Sequence, residues 1–349
     1  MIDGAPGGPG RLPNGPRLSL VIPAYNEAAR LEAGFARLTA ALVSGAIDAQ
    51  STQFIVVDDG SADDTTPCAR AIFASLPHVL VIRLPENRGK GAAVRAGVAA
   101  AVAPLIAFAD ADMAIDPIQT PQFVRALSHA DLAIGSRAAS GASVDRASIH
   151  RSVMNRTFNV LVNTVTRVSL DDTQCCFKAF RGPVARLLFH FSVTERMAFD
   201  VEVLALARHL KMSITQVPVH WQRVKGSRVR SWSDTPSMIR DVLRAPRRFD
   251  AAPAVPGVEV SLPGPLIASG SAHLRELGQR WPVLYRGGAN FTVLFPLVEP
   301  AQVPGHIERL GAALGLDAPG PITLSLAALT ALTPLTLSWD DALIASTVA

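Results

Sequence analysis

The amino-acid sequence predicts an α/β fold, built on a mostly parallel sheet that helices cover on both faces. Two observations lead to this prediction. The N-terminal half contains five short apolar runs without an alternating polar face, and helix-like segments lie between the first four of them. Strands of this kind are typical of parallel sheets, because the crossover helices cover both faces of the sheet.

The elements alternate along the chain. The predicted strands are residues 18–22, 54–57, 79–84, 105–109 and 132–135, and the predicted helices are residues 27–43, 63–75 and 91–101. Each strand run is too apolar to leave a face in water, so we expect all five to be buried in one sheet. Ligands of such sheets bind beyond the carboxyl ends of the strands, which makes polar clusters there candidate site residues.

The chain divides into four parts by composition. Residues 1–16 are rich in Gly and Pro and lack the apolar run of a signal peptide, so we expect a disordered lead. Residues 17–250 contain the predicted α/β domain. Residues 251–270 carry four prolines among small residues, which predicts a linker. Residues 271–349 form a small C-terminal region whose sequence indicates no function.

Cysteine usage and hydropathy predict a cytoplasmic protein. The three cysteines, two of them adjacent at positions 175 and 176, supply no disulfide framework, which suits a reducing compartment. Residues 318–339 are uncharged, but prolines, threonines and serines interrupt them. We therefore expect a packed segment there and not a transmembrane helix.

Basic residues are concentrated in the middle of the chain. Residues 137–250 contain 19 Lys and Arg against 9 Asp and Glu, whereas acidic residues outnumber basic ones on either side. This region lacks interleaved aromatic residues and recognisable nucleic-acid-binding modules, so we expect no nucleic-acid partner. A phosphate-bearing acceptor at an anionic membrane surface fits better, since each Lys or Arg near such a surface contributes about 1 kcal/mol. We therefore expect peripheral membrane association.

Two carboxylates at the end of the fourth strand form the most informative motif. Asp110 and Asp112 follow a buried strand and are separated by one residue, which puts both side chains on one face at its carboxyl end. Oxygen ligands of this kind hold hard divalent cations such as Mg²⁺ or Mn²⁺. An isolated pair would more often be a polar turn. Here two further apolar strands end in polar clusters, residues 21–27 (VIPAYNE) and 56–61 (VVDDGS).

A glycine-containing turn after the third strand is a second candidate for phosphate binding. Residues 87–91 (NRGKG) open the third helix, where backbone N–H groups and Lys90 could hold phosphate. The alternative is a turn with a solvated lysine. The segment lacks the spacing of a P-loop, and no G-x-G-x-x-G follows the first strand, which excludes the nucleotide folds that depend on those motifs.

These motifs, in this order and spacing, resemble those of family 2 glycosyltransferases, which have the Rossmann-like GT-A fold and use nucleotide-sugar donors. The likeness covers roughly residues 17 to 248. Three later segments resemble the dolichyl-phosphate β-glucosyltransferase branch: residues 135–137 (GSR), 172–178 (DTQCCFK) and 198–202 (AFDVE). The resemblance implies an inverting hexosyltransferase that moves glucose from UDP-glucose to a polyprenyl or dolichyl phosphate at the membrane surface.

The resemblance also implies a nucleotide-sugar site at the carboxyl ends of the strands. Its residues would be Pro23, Tyr25, Glu27, Asp58, Asp59, Lys90 and Asp110. Asp59 would accept a hydrogen bond from the imide N–H of the base, whereas Asp58 could equally cap the following helix. Asp110 and Asp112 would hold Mg²⁺ or Mn²⁺, which neutralises the charge that develops on the departing nucleoside diphosphate.

A site for the acceptor phosphate is implied in the second half of the domain. Its candidates are Arg137, Arg151, Arg156, Arg223, Lys225, Ser227 and Arg228. Arg151 and Arg156 lie on a predicted helix, residues 149–165, and either could be the arginine that binds the lipid phosphate. The basic loop at residues 223–228 contains a Gly-Ser turn, which suits a lid that closes over the diphosphate.

The predicted catalytic residues are Asp110, Asp112, Arg137 and Asp200. A phosphate monoester has a second pKa of about 6, so a polyprenyl phosphate is already an anionic nucleophile and needs no strong base. Asp200 would then orient the donor sugar or the acceptor. A sugar-hydroxyl acceptor would instead make Asp200 or Glu202 an essential base. Cys176 stands where the family usually has glycine, so we expect backbone strain or a narrower pocket there.

The sequence leaves three alternative functions open. They are a GDP-mannose-dependent polyprenyl-phosphate mannosyltransferase, a family 2 transferase that acts on a sugar hydroxyl, and a non-catalytic sugar-nucleotide-binding protein.

Residues 236–249 combine apolar residues with four arginines. They predict either an interfacial helix on anionic lipid or a helix packed on the domain with a basic outer face.

Overall fold

The computed structural model describes residues 15–145, 149–222, 235–248, 254–261, 281–287, 290–314 and 321–324. These residues form a large α/β body and, in the C-terminal part of the chain, a smaller β-sheet.

The α/β body is built on a seven-stranded sheet. The strands up to residue 222 are β1 (Leu18–Ala24), β2 (Thr52–Asp58), β3 (Val79–Arg83), β4 (Leu105–Phe108), β5 (Leu132–Ser136), β6 (Ser143–Val144), β7 (Lys178–Arg181), β8 (Ile214–Pro218) and β9 (His220–Trp221). The main sheet has the order β3-β2-β1-β4-β7-β5-β8, and β6 pairs with β9 separately. Neighbouring strands of the main sheet are parallel except where β7 pairs with β4 and β5. The predicted mostly parallel sheet is confirmed.

Helices cover both faces of this sheet. The helices of the described residues are α1 (Ala28–Val43), α2 (Thr65–Phe73), α3 (Lys90–Ala100), α4 (Thr120–Ala126), α5 (Ile149–Thr166), α6 (Gly182–Phe191), α7 (Phe199–His209), α8 (Thr235–Arg248) and α9 (Val303–Leu314). The five strands and three helices predicted from the apolar pattern are all present, and their ends differ by at most two residues.

The core lies on both faces of the main sheet. On one face Phe108 packs against Phe180 and Phe199, with ring centroids 6.0 and 5.7 Å apart. On the other face Phe54 packs against Phe73 at 6.4 Å. All five rings are buried, and each buried side chain of this size contributes about 1.5–3 kcal/mol.

The sheet differs from the prediction in the exposure of β3 and in two strands that were not predicted, β7 and β8. β3 is an edge strand, and Leu80 on it is 37% exposed, so this apolar run does have a face in water. The sequence does not predict β7, because Lys178 and Arg181 at its ends give it a polar character. Both side chains form ion pairs, Lys178 with Asp200 and Arg181 with Asp131, and this allows the strand to lie inside the sheet.

The C-terminal part of the chain forms an antiparallel sheet. Its strands are β10 (Val255–Ser261), β11 (Val283–Gly287), β12 (Asn290–Leu294) and β13 (Pro321–Leu324), in the order β11-β12-β10-β13. β10 lies within residues 251–270, so the predicted linker contains a strand. Val255 and Leu294 belong to the same apolar core as α6, which joins this sheet to the α/β body.

Across the described ranges, no helix combines the length and the apolar character that a membrane crossing requires. The uncharged stretch at residues 318–339 contains β13, and its other residues lie outside the described part of the chain.

Candidate active site

A cavity of about 320 Å³ opens at the carboxyl ends of β1, β2 and β4. The predicted residues that line it are Pro23, Tyr25, Glu27, Asp59, Lys90, Asp110 and Asp112. Parallel strands end at the same edge of a sheet, which is why motifs far apart in the sequence meet here. Contact between these residues and a nucleotide sugar stays a prediction.

Asp110 and Asp112 lie in the turn after β4, and both line the cavity. The Nζ atom of Lys90 lies 2.6 Å from Oδ1 of Asp110, and Arg30 forms an ion pair with Asp112. The backbone N–H of Ala114 donates to Oδ1 of Asp112 at 3.1 Å. Each carboxylate therefore has its own cationic partner.

Helix α1 packs closely against this turn. A Cβ atom at Gly34 would lie 2.0 Å from the carbonyl oxygen of Ala111, so a larger residue would push the turn away. Further along the helix, Arg37 donates to the carbonyl oxygen of Met113 at 2.9 Å. Helix α1 therefore fixes the position of the acidic pair.

Burial and neighbouring charges shift the pKa values of Asp112 and Lys90. Burial raises the pKa of Asp112, the charge of Asp110 raises it further, and Arg30 and Lys90 offset only part of this effect. Burial alone would lower the pKa of Lys90, but the charges of Asp110 and Asp200 outweigh it and raise that pKa. Two mutually repelling carboxylates beside an open cavity fit a hard divalent cation, which binds oxygen ligands and neutralises their charge. Among the described residues, no cluster of three or more His, Cys, Asp or Glu suits a metal ion.

Asp59 holds the loop between β3 and α3. Its carboxylate accepts hydrogen bonds from the backbone N–H groups of Arg88 at 2.9 Å and Gly89 at 2.7 Å, and from the side chain of Asn87 at 3.0 Å. Burial raises the pKa of Asp59, and the two backbone donors counteract this effect. Asp59 therefore supports the loop that carries Lys90, a role that the sequence does not reveal.

Gly89 lets this loop approach the segment before α7. Its φ of 117° is a conformation that residues with a side chain rarely adopt, and a Cβ atom would lie 2.6 Å from the carbonyl oxygen of Glu195. The backbone N–H of Ala92 donates to the same oxygen at 3.0 Å, and Arg88 forms an ion pair with the Glu195 side chain. The two segments therefore form one unit beside the cavity.

Glu202 anchors the segment before α7. It is buried, and its Oε2 atom accepts hydrogen bonds from the Ser192 hydroxyl at 2.7 Å and from the N–H groups of Val193 and Thr194 at 3.0 and 2.8 Å. A carboxylate buried in this way lies beyond the reach of an acceptor in the cavity. Glu202 therefore has a structural role, which argues against its use as a base.

Asp200 is buried and is not among the residues that line the cavity, so its predicted catalytic role stays a prediction. Its side chain is 5% exposed and forms an ion pair with the Nζ atom of Lys178 at 3.0 Å. Lys178 is fully buried and also donates to the carbonyl oxygen of Cys175 at 2.7 Å. Through Lys178, Asp200 is therefore connected to the backbone at Cys175.

Asp58 and Cys176 also differ from their predicted roles. Asp58 is fully buried and accepts hydrogen bonds from the N–H of Ser61 at 2.8 Å and from the Thr66 hydroxyl. It therefore ties the turn after β2 to the start of α2, without capping that helix or lining the cavity. Cys176 is half-buried, and its φ is not positive, so the backbone strain expected from a positive φ is absent, whereas a narrower pocket stays a prediction.

Arg137 is held by Asp172 at the end of β5. Its Nε and Nη2 atoms donate to the two carboxylate oxygens at 2.7 and 2.9 Å, and its backbone N–H donates at 3.0 Å. Burial would raise the pKa of Asp172, but the bonds from Arg137 outweigh it and lower that pKa. Arg137 does not line the cavity, so its contact with an acceptor phosphate stays a prediction.

Comparison with known proteins identifies the family. The family model described as Glycosyl transferase family 2 matches residues 19–189. The dolichyl-phosphate beta-glucosyltransferase of Dictyostelium discoideum is 32% identical over 66% of this chain and 74% of its own length. The chain belongs to glycosyl transferase family 2. Enzymes of the same name from Drosophila melanogaster and Homo sapiens are 36% and 34% identical, over 64% and 62% of this chain and 73% and 71% of their own.

Solved structures share the fold. Glucosyl-3-phosphoglycerate synthase from Mycobacterium tuberculosis, in complex with Mn²⁺, UDP and glucosyl-3-phosphoglycerate, aligns with a TM-score of 0.51 and 18% identity over 68% of this chain and 81% of that chain. The same enzyme with Mn²⁺, UDP and phosphoglyceric acid aligns with a TM-score of 0.51 and 20% identity over 72% and 84%. This likeness concerns the fold alone. This family 2 glycosyltransferase has the predicted GT-A fold.

Only part of the predicted acceptor site of this glycosyltransferase falls on described residues. Arg156 lies on α5 and is exposed. Arg151 lies on the same helix, with its side chain outside the described part. Arg223, Lys225, Ser227 and Arg228 lie outside the described residues. Their contacts with an acceptor phosphate stay predictions.

Several cavity residues of the glycosyltransferase have no counterpart in the sequence prediction. They are Arg30, Arg196, Met238 and Asp241. Arg30 follows Glu27 by three residues at the start of α1, which is the spacing of a helical ion pair and the one usable signal in the sequence. Met238 and Asp241 lie three residues apart on α8, so this helix turns one face to the cavity.

Proposed function

We propose that this family 2 glycosyltransferase transfers glucose from UDP-glucose to a polyprenyl or dolichyl phosphate. The observation that carries this assignment is the acidic pair, Asp110 and Asp112, at the edge of a cavity formed by the carboxyl ends of the strands. The relatives that match most of the chain are named dolichyl-phosphate beta-glucosyltransferases, which favours glucose and dolichyl phosphate over the GDP-mannose alternative.

The donor would lie across the strand ends with its nucleoside near β1 and β2. Tyr25 is 43% exposed and lines that part of the cavity, where it would contact the nucleoside. The carboxylate of Asp59 accepts hydrogen bonds from three donors in the protein. It has room to accept a fourth, from the imide N–H of a base. Lys90, the first residue of α3, would bind the phosphates, and its position at a helix N-terminus favours an anionic ligand.

Asp110 and Asp112 would hold a Mg²⁺ or Mn²⁺ ion, which when bound neutralises charge on the leaving UDP. The two carboxylates supply oxygen ligands, and the remaining ligands of such an ion are commonly substrate phosphates and water. Lys90 and Arg30 add positive charge at the same edge of the cavity. The protein residues thus orient the diphosphate and stabilise its departure.

A phosphate acceptor removes the need for a general base. One oxygen of the acceptor phosphate forms a bond to the anomeric carbon, while the bond from that carbon to UDP breaks and its electron pair leaves with UDP. This direct displacement inverts the anomeric configuration. Asp200 and Glu202 are both buried, which favours an acceptor that is already charged over a sugar hydroxyl that must lose a proton.

The outer face of α8 would contact the membrane that carries the acceptor. Val242 is fully buried, whereas Arg240, Leu243 and Arg244 are exposed. Helix α8 therefore packs on the domain and presents a basic outer face with an apolar side chain. Peripheral association is supported by this combination, since each Arg near an anionic surface contributes about 1 kcal/mol.

The test combines purified full-length protein, Mg²⁺ or Mn²⁺, vesicles containing dolichyl phosphate, and radiolabelled UDP-glucose or GDP-mannose. We expect label from UDP-glucose in the extracted lipid phase, with one UDP released for each glucose transferred, and no label in the lipid from GDP-mannose. Lipid labelled only from GDP-mannose would overturn the assignment of glucose. Binding of UDP-glucose without any transfer would support the non-catalytic alternative.

A further inference from the structure

Two cationic side chains already occupy the carboxylates that are proposed to hold the metal ion. Lys90 is the first residue of α3, and its Nζ atom lies 2.6 Å from Asp110. Arg30 lies in the first turn of α1 and pairs with Asp112. The side chains of Lys90, Arg30 and Asp112 are only 14–16% exposed, whereas that of Asp110 is 35% exposed. Water therefore screens the pair between Arg30 and Asp112 less than it screens a surface pair.

Arg30 has a second anionic neighbour, because it also binds Oε1 of Glu27 at 2.8 Å. Arg30 can therefore leave Asp112 without becoming an unpaired buried charge, which would be costly. Lys90 lines the cavity, so an anionic ligand bound there would replace Asp110 as its partner.

The two resident cations disfavour a metal ion on its own. Lys90 and Arg30 hold the carboxylates of Asp110 and Asp112, so a divalent ion that bound alone would have to displace them and would lie close to both. The diphosphate of a nucleotide gives both side chains a new anionic partner.

We propose that Lys90 and Arg30 are resident counter-ions that make the binding of a divalent cation depend on the nucleotide diphosphate. Without the nucleotide they hold Asp110 and Asp112 and compete with the ion. With the nucleotide they turn to the phosphates and release the carboxylates. This inference rests on the proposed use of a nucleotide-sugar donor. By linkage, UDP tightens Mn²⁺ binding by the same factor by which Mn²⁺ tightens UDP binding.

Titration of the full chain with Mn²⁺, followed by the EPR signal of the free ion, tests this dependence without an acceptor and without turnover. In the unaltered protein we expect UDP to tighten Mn²⁺ binding by about tenfold or more. Lys90→Met and Arg30→Met should each bind Mn²⁺ without UDP about tenfold more tightly than the unaltered protein does, because one competing cation is gone. The effect of UDP should shrink in both variants.

The chain offers a matched control for each variant. Arg70→Met removes an exposed arginine from α2, a helix that does not line the cavity. Arg125→Met does the same on α4. Both controls should bind Mn²⁺ without UDP as the unaltered protein does. Thermal unfolding shows whether each variant is folded, and Lys90→Gln replaces Lys90→Met if the latter is not.

Two results would overturn the inference. One is Mn²⁺ binding by the unaltered protein that is equally tight with and without UDP. The other is Mn²⁺ binding by folded variants at positions 90 and 30 that is no tighter than that of the Arg70→Met and Arg125→Met controls. Failure of the proposed function has a different signature. A different acceptor or hexose would leave the coupling between Mn²⁺ and UDP intact, whereas the coupling can fail in an enzyme that still makes the glucosyl lipid.

Discussion

Lys178 and Asp200 form a buried ion pair in the core of the α/β body. Lys178 is fully buried, and its Nζ atom lies 3.0 Å from Asp200, 2.7 Å from the carbonyl oxygen of Cys175 and 5.6 Å from the centre of the Phe108 ring. A buried ion pair contributes little to stability compared with apolar side chains of the same volume, but removal of one partner leaves an uncompensated charge. The pair thus fixes the backbone at Cys175. The next residue is Cys176, and both its burial and the charge of Asp110 raise the pKa of its thiol.

Asp200→Asn should therefore destabilise the protein by about 3–5 kcal/mol, because Lys178 loses its counter-charge. Urea unfolding followed by circular dichroism measures this loss. The double variant Lys178→Met/Asp200→Leu should recover most of it, since no charge is then left unpaired.

The same Asp200→Asn variant tests the absence of a general base. With a phosphate acceptor, the transfer rate of the folded fraction should fall by less than about 100-fold, because a general base contributes about 10²–10⁴-fold. A loss of several orders of magnitude, with donor and metal binding intact, would contradict direct attack by the phosphate.

Among the elements, the loop between β3 and α3 depends on its neighbour before α7. Asp59 holds this loop from one side through three hydrogen bonds, and the backbone of Glu195 contacts it from the other. Gly89 lies at the point of closest approach and has a positive φ. The position of Lys90 is therefore set by two segments that are far apart in the sequence.

Gly89→Ala should raise the KM for UDP-glucose and lower the free energy of unfolding, because the new Cβ atom would strain the backbone and collide with the carbonyl oxygen of Glu195. Gly45→Ala is the matched control. Gly45 also has a positive φ, 75°, but a Cβ atom there would meet nothing within 4 Å. Its cost should be limited to backbone strain of about 1–2 kcal/mol, with an unchanged KM. Equal effects of the two variants on KM would show that the contact with Glu195 does not position the loop.

In the whole molecule, His190 on α6 connects the α/β body to the C-terminal sheet. Its Nδ1 atom accepts a hydrogen bond from the N–H of Leu297 at 3.1 Å, and its Nε2 atom lies 3.0 Å from the carbonyl oxygen of Ala254. A neutral ring with its proton on Nε2 satisfies both contacts. Burial lowers the pKa of His190, the contact with Ala254 counteracts this, and the charge of Arg95 lowers the pKa further.

Stability should consequently fall as the pH drops below about 6.5. The unfolded chain binds a proton at His190 near that pH, whereas the folded protein binds it only at lower pH because its pKa is lowered. The unfolded state therefore holds more protons between the two values, and the contribution of His190 is complete only above about 6.5. Melting temperatures between about pH 5 and pH 8 measure the effect.

His190→Gln should flatten this part of the pH profile. His129→Gln is the control, because His129 is exposed and should leave the profile unchanged. An identical pH profile for His190→Gln and the unaltered protein would show that the contact between α6 and the C-terminal sheet does not respond to pH.

The sequence by itself determined the order of the elements and the edge of the sheet at which the cavity lies. The apolar runs of β1, β2 and β4 and the polar residues that follow them are local features, and the carboxyl ends of parallel strands meet wherever such strands pair. The acidic pair at Asp110 and Asp112, and the loop that carries Lys90, could therefore be located from the sequence. The family resemblance supplied the fold name and the expected chemistry.

Only the tertiary structure decided which charges meet and which carboxylates are buried. Arg30 and Asp112 are 82 residues apart, Arg137 and Asp172 are 35 apart, and no local pattern links either pair. Asp200 belongs to a motif of the family, yet β7 brings Lys178 to it inside the core, so its position in the sequence did not reveal that it is buried. Ion pairing and burial depend on how distant segments pack, and a one-dimensional pattern of residues does not contain that information.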